Sequence, residues 1–164
     1  MFCDADWAGD RDDRRSTSGG VVLLNGDAVI WHAKKQSVVA HSTAEAEYIA
    51  MSYAVQEAKW LANLLSEIGA RVHLPVDLYS DNQAAIAVSS GDRVSHSRTR
   101  HIDLRHHYVR ELVESGWLRV AWVSTSEQMA DVCTKALPKH TFEGLIARVM
   151  QQQESNKQEE RKNE

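Results

Sequence analysis

The chain has 164 residues, 43% of them hydrophobic and 26% charged, which suits one globular domain with one core. Its net charge of −4 argues against a strong autonomous nucleic-acid binder, because phosphate affinity scales with the Lys and Arg brought to the backbone. No apolar run is long enough to span a bilayer and no charged-then-apolar segment opens the chain, so an intracellular, cytoplasmic address without a membrane is expected.

Met1 to Ala5 reads as a strand, followed by a charged turn over Gly9 to Ser18 that holds Arg11, Asp12, Asp13, Arg14 and Arg15. Gly19 to Leu24 is a second strand, Asn25-Gly26 a tight hairpin and Ala28 to Trp31 the return strand, so the first three strands form an antiparallel meander. Ser42 and Glu45 make a capping box, and apolar residues then recur at helical spacing from Ala46 to Ile68, with Gly69 as the stop. Pro75 to Tyr79 is a short strand; a strand, long helix and second strand form a crossover that lays it parallel to the first. Asn82 to Val88 is a brief helix, Ser89 to Ser97 a polar loop and His101 to Glu114 a helix that Gly116 ends. Trp117 to Val123 is the fifth strand, and Ser124 with Glu127 forms a second capping box for a helix running to about Ala136, before Pro138. His140 to Met150 can form one more amphipathic helix, through Phe142, Leu145, Ile146 and Val149. From Gln151 to Glu164 no apolar residue occurs, so that tail is expected to be disordered or a frayed helix. The pattern is α/β: a five-stranded mixed sheet, three antiparallel strands and then two parallel, flanked by helices. Cys3 and Cys133 form no CxxC pair and read as small buried hydrophobes in a reducing compartment.

One carboxylate on the long helix stands out. Glu45 has a structural task in the cap, whereas Glu47, about 200° further round, shares its face with Ala50, Met51, Ala54, Ala58 and Leu61. A carboxylate in that apolar stripe faces a desolvation cost of several kcal/mol unless a cation meets it. Other acids can share such a cation. They lie in Phe2-Cys3-Asp4-Ala5-Asp6-Trp7, in Leu78-Tyr79-Ser80-Asp81-Asn82-Gln83 and in Gln128-Met129-Ala130-Asp131. If the first and fourth strands are parallel neighbours, Asp81 projects from a carboxyl end, where open α/β sheets place ligands, with Asp4 one strand away. Each acid has a plainer reading as well: Asp6 shares a strand face with Asp4, Asp81 can cap the short helix, and Asp131 can be a solvated helix residue.

Those motifs, together with Ile30-Trp31-His32-Ala33-Lys34-Lys35-Gln36-Ser37 and Ser42-Thr43-Ala44-Glu45-Ala46-Glu47-Tyr48-Ile49-Ala50, resemble the ribonuclease H domain of copia-type retrotransposon polyproteins. The resemblance covers residues 1–138 in order, leaving the helix over 139–150 and the tail over 151–164 outside it. It implies the ribonuclease H-like fold and hydrolysis of the RNA strand of RNA-DNA hybrids during reverse transcription. It implies catalysis by Asp4, Glu47, Asp81 and Asp131 as ligands of two Mg²⁺ ions, with Mn²⁺ as a substitute, in keeping with an all-oxygen donor set. It assigns substrate contacts to Ser42, Thr43, Gln83, Arg100 and His101, and implies a reverse transcriptase polymerase domain as partner in the parent polyprotein, within the particles of the element. Ser42 can instead simply cap, and Gln83 can simply be solvated. Arg93, Arg98, Arg100, Arg105 and Arg110 form a basic segment that either tracks phosphates or is a solvated helix face. His96, His101, His106 and His107 lie in the same segment without the HExxH spacing of a zinc enzyme.

This chain departs from the better-known ribonucleases H in one respect. They carry a flexible histidine loop between the last strand and the last helix, and only Val123 to Gln128 stands there in this chain. The abrupt start at Met1 suggests a fragment of a longer chain, and with it a competing function: a decayed or host-retained domain that binds nucleic acid or protein without turnover. An integrase or resolvase of the same fold fits less well, because Lys34-Lys35-Gln36 and the Ser42 to Ala50 stretch match the ribonuclease pattern.

Overall fold

The computed structural model describes residues 1–89 and 100–160, and no side chain of 100–104, 106 or 151–160. Strands β1 (Phe2–Asp6), β2 (Thr17–Leu24) and β3 (Asp27–Lys35) form the antiparallel meander, and β4 (Val76–Ser80) and β5 (Leu118–Trp122) run parallel to β1. The sheet order is β3-β2-β1-β4-β5, the mixed architecture read from the periodicities. The hairpin between β2 and β3 turns through Asn25 and Gly26, both at positive φ (51° and 94°), which is the turn chemistry an Asn-Gly pair supplies.

Alternation along β1 divides the molecule into two faces. Cys3 and Ala5 point to α1 (Thr43–Glu67), burying Tyr48, Ile49, Met51, Ala54 and Val55 with Val22 and Leu78. Phe2 points the other way, stacked on Tyr79 at 5.0 Å between ring centroids and packed with Val21, Met129, Ala130 and Val149. Each fully buried Ile, Met, Leu or Val contributes about 2 kcal/mol, so this two-sided core supplies most of the driving force that holds the sheet's carboxyl end in place.

The remaining helices are α2 (Gln83–Ser89), α3 (Arg100–Glu114), α4 (Asp131–Thr134) and α5 (Lys139–Glu160). Most boundaries shift by a residue or two, and three differences from the sequence reading are larger. β3 runs on to Lys35 instead of ending at Trp31, because its ladder with β2 continues to the Thr17–Lys35 pair. The single helix expected after Ser124 is two short pieces, a 3-10 turn over Thr125–Glu127 and then α4. Ser124 makes no side-chain cap, and Gln128 is extended (φ −71°, ψ 97°) because its buried amide reaches back to donate to the Cys3 carbonyl at 3.0 Å. The last helix does not end at 150 but continues to Glu160, into the stretch read as a polar tail. Both cysteines are free thiols; Cys3 is buried and Cys133 half-buried. Among the described residues no helix is long and apolar enough to cross a membrane.

Candidate active site

The first turn of α1 separates its two glutamates by task. Ser42 Oγ accepts the Glu45 N–H at 3.1 Å, and the Glu45 carboxylate accepts the His41 N–H at 2.9 Å, one residue earlier than a capping box strictly predicts. Glu45 is thereby tied to the helix entrance. Glu47 is only 7% exposed, on the face that buries Ala50, Met51 and Ala54 completely. One side of its carboxylate accepts the Ala5 N–H, while Oε2 is buried without a partner. Burial first, and then the charges of Asp4 and Asp81, push Glu47 up to about 9; Lys135 and the Ala5 amide only partly oppose them.

Asp4 comes from the middle of β1 and is fully excluded from solvent. Thr134 Oγ1 donates to its Oδ2, and Lys135 Nζ lies 3.1 Å from its Oδ1. The same ammonium reaches Asp131 Oδ1 at 2.8 Å, so one lysine bridges two buried aspartates. Burial raises Asp131 to about 6 against the hydrogen bond from Lys135. Burial also works against the charge of Lys135, but its bond to Asp131 and the field of Asp4 outweigh that and hold the ammonium well above the ordinary lysine range. Gly19, opposite Asp4 in the β1–β2 ladder, makes room for this approach: a Cβ there would stand 2.5 Å from Thr134 Cγ2 and 2.9 Å from Cys133 Cβ.

Asp81 follows the carboxyl end of β4 and accepts a hydrogen bond from Thr125 Oγ1 at 2.8 Å. It is not the cap of α2. Asn82 takes that task by accepting the Ala85 N–H at 3.0 Å, which leaves the other Asp81 oxygen for the site. Asp6, the neighbour that shares a face with Asp4, contributes no oxygen to the cluster.

Asp4, Glu47 and Asp81 each offer one carboxylate oxygen, and these lie within 4.8 Å of one another. Three hard carboxyl oxygens at that spacing, with Glu47 also carrying a buried oxygen that has no partner, are what a divalent cation with oxygen ligands would satisfy. The fourth predicted acid, Asp131, is 4% exposed and stands one step aside, joined to the cluster through Lys135. Ser42 and Thr43 are exposed at the start of α1, and Gln83 is exposed at the start of α2. Arg100 and His101 open α3, but their side chains lie outside the described residues, as do Arg93, His96 and Arg98 altogether. Sequence reasoning missed Thr125, Gln128, Thr134 and Lys135. Only Lys135 carried a legible signal, its i,i+4 spacing from Asp131.

No family model matches the chain. Solved structures of similar fold include LC11-RNase H1 in complex with RNA/DNA hybrid, with a TM-score of 0.56 and 12% identity over 81% of this chain and 91% of that one. Sheet order, crossover helix and acids at the carboxyl end thus define a ribonuclease H-like fold. Among curated proteins, the retrovirus-related Pol polyprotein from transposon RE1 of Arabidopsis thaliana is 40% identical over 148 residues, covering 90% of this chain. That from transposon TNT 1-94 of Nicotiana tabacum is 43% identical over 142 residues, covering 87%. The chain is therefore a ribonuclease H-fold domain related to retrotransposon Pol polyproteins, as its motifs implied. It spans 10% of the length of each of those two polyproteins.

Proposed function

We propose that the chain is a metal-dependent endonuclease that cuts the RNA strand of RNA-DNA hybrids in the reverse transcription of a copia-type element, leaving a 3'-hydroxyl and a 5'-phosphate. The observation that carries this reading is the meeting of one carboxyl oxygen each from Asp4, Glu47 and Asp81 within 4.8 Å, where Glu47 also keeps a buried oxygen without a partner. Two Mg²⁺ ions, or Mn²⁺, when bound supply an activated water and a stabilised leaving oxygen for in-line displacement at phosphorus. Asp4, Glu47, Asp81 and Asp131 are the residues that would hold them. Glu47, at about 9, must give up its proton to serve, so loading releases protons. Lys135 must move off Asp4 to free that oxygen. Ser42 uses a lone pair in the cap, which leaves its O–H to donate to the substrate beside Thr43, Gln83, Arg100 and His101. A polymerase domain in the parent polyprotein is the natural partner, supported by the names of the relatives.

Incubation with labelled hybrid, duplex DNA and duplex RNA, each with Mg²⁺ and with chelator, tests the proposal. Cleavage of the hybrid's RNA strand alone, and only with Mg²⁺, is expected; an intact hybrid, or equal cutting of duplex DNA, defeats it. One observation favours a second reading as a binding module without turnover: Thr134 and Lys135 together occupy both oxygens of Asp4. Hybrid binding with no cleavage at any Mg²⁺ concentration is the result that reading predicts.

A further inference from the structure

We propose that Lys34, Arg105 and Tyr53 form a clamp for the phosphodiester backbone of the bound nucleic acid, separate from the acidic cluster; the proposal rests on the hybrid-hydrolase reading above. Lys34 Nζ lies 4.8 Å from the centroid of the Tyr53 ring, and the guanidinium carbon of Arg105 lies 5.0 Å from the same centroid. Arg105 Nη2 also donates to Tyr53 Oη at 3.3 Å. Two cations therefore converge on one half-buried ring from two different elements, the end of β3 and the first turns of α3.

What sets them apart from the other cations without a carboxylate partner among the described residues, such as Lys59 over Trp117, is that two of them share one ring. Lys35, the next residue, is taken by Asp10 and Asp13, Arg119 by Asp77, and Lys135 by Asp4 and Asp131. Among the described residues, neither Lys34 nor Arg105 has a carboxylate within ion-pair distance. Cation-π attraction to the neutral ring leaves the positive charge of both groups uncompensated, and phosphates of a nucleic-acid backbone passing the ring compensate it. The cations take up the ring, so a base has no free platform there, and a phosphate is the ligand their chemistry fits. The planar fork of Arg105, steadied by the tyrosine hydroxyl, suits bidentate contact with phosphate oxygens, and Lys34 adds a mobile point charge.

Position supports the same ligand. Lys34 pairs with Ser18, and Ser18 with Ala5, the residue after Asp4. Two strand spacings put Lys34 roughly 10 Å from β1, alongside the acids at the same end of the sheet. Tyr53 packs against the apolar group that contains Ala5 and Ala50, on the helix that carries Glu47. A chain of net charge −4 with acids at its centre repels phosphates there, so a local pair of unspent cations beside the acids is where a duplex backbone gains attraction.

The test measures affinity of the full chain for a short fluorescent RNA-DNA hybrid, in chelator to prevent cutting, across a salt series. Lys34→Gln and Arg105→Gln are each expected to weaken binding several-fold and to reduce the slope of log affinity against log salt by about one, with the double variant reducing it by about two. Lys34→Arg should restore the parent slope, and Lys139→Gln, whose ammonium already has Glu143 as its partner, should leave it unchanged. Thermal melts of each variant separate a binding loss from a folding loss, since Lys34 is exposed and its change leaves the core intact. If the parent binds hybrid and Lys34→Gln and Arg105→Gln keep its affinity and slope, the clamp is overturned while the hydrolase reading stands. If the parent neither binds nor cuts hybrid, the hydrolase reading falls and the clamp falls with it.

Discussion

Lys35 and Lys135 each stand between two aspartates, and their surroundings give the two triads opposite properties. Lys35 pairs with Asp10 and, at 2.8 Å, with Asp13, all on the surface. Hydrogen bonds from Lys35 first, and then from the amides of Asp12 and Asp13, hold Asp10 down at about 2. Lys135 stands 2.8 Å from Asp131 and 3.1 Å from Asp4, both almost excluded from solvent. There burial outweighs the same kind of bond, and Asp131 rises to about 6. A lysine partner therefore does not by itself set an aspartate's charge; the cost of removing it from water decides. The surface triad pins the turn between β1 and β2. The buried one sets a single positive charge between two carboxylates beside Glu47, a task that a divalent cation can take over.

The comparison breaks most decisively at Glu47. Glu47→Gln keeps the shape and removes the charge, so single-turnover cleavage of hybrid should fall on the order of a thousandfold, about 4 kcal/mol of transition-state stabilisation. Glu45→Gln, in the cap, should cleave almost normally; parent-like cleavage by the Glu47 variant would reverse the two assignments. Next in size, Lys135→Gln leaves Asp4 and Asp131 buried without their cation. Allowing for the partial exposure of the ammonium, metal-free stability at pH 7 should drop by roughly 1–3 kcal/mol, with much of it regained in Mg²⁺. Urea titration with and without Mg²⁺ measures both numbers, and no change in either would mean the bridge is incidental.

The pH dependence comes third. Glu47 rises from 4.5 to about 9 on folding, so between those values the native state holds a proton that the unfolded chain has lost. Its contribution favours folding most at low pH and declines as pH climbs from about 4.5 to about 9; Asp131 acts in the same sense between 3.8 and about 6. Metal-free melts of the parent should lose midpoint across that window more steeply than those of Glu47→Gln, and parallel curves would refute the shift. The smallest effect is expected at the surface triad: Lys35→Gln should lower the midpoint slightly at low salt and not at all in molar salt, where exposed charges are screened. A salt-independent loss there would show the triad to be more buried in effect than it looks.

Much of the fold was readable because its signals are local. The Asn25-Gly26 turn, the Ser42 cap, the apolar stripe from Ala46 and the stop at Gly69 act within a few residues of themselves. The helix expected after Ser124 was misread because Gln128, polar and unremarkable in sequence, is claimed by the Cys3 carbonyl across the sheet. Glu47 was legible as a carboxylate on an apolar face, and Asp81 as an acid at the end of a strand parallel to the one that carries Asp4. Thr125 and Thr134 were not, since nothing near either residue marks it as the donor to an aspartate in another element.

By itself the sequence determined the alternation of strands and helices, the order of the acidic motifs and the family they resemble, because periodicity, caps and motif order are written along the chain. Only the tertiary structure decided that three acids meet within 4.8 Å while Asp131 stands aside behind Lys135, and that Asn82 rather than Asp81 caps α2. Those outcomes depend on which groups lose water together, and desolvation is a property of neighbours in space that no local pattern records.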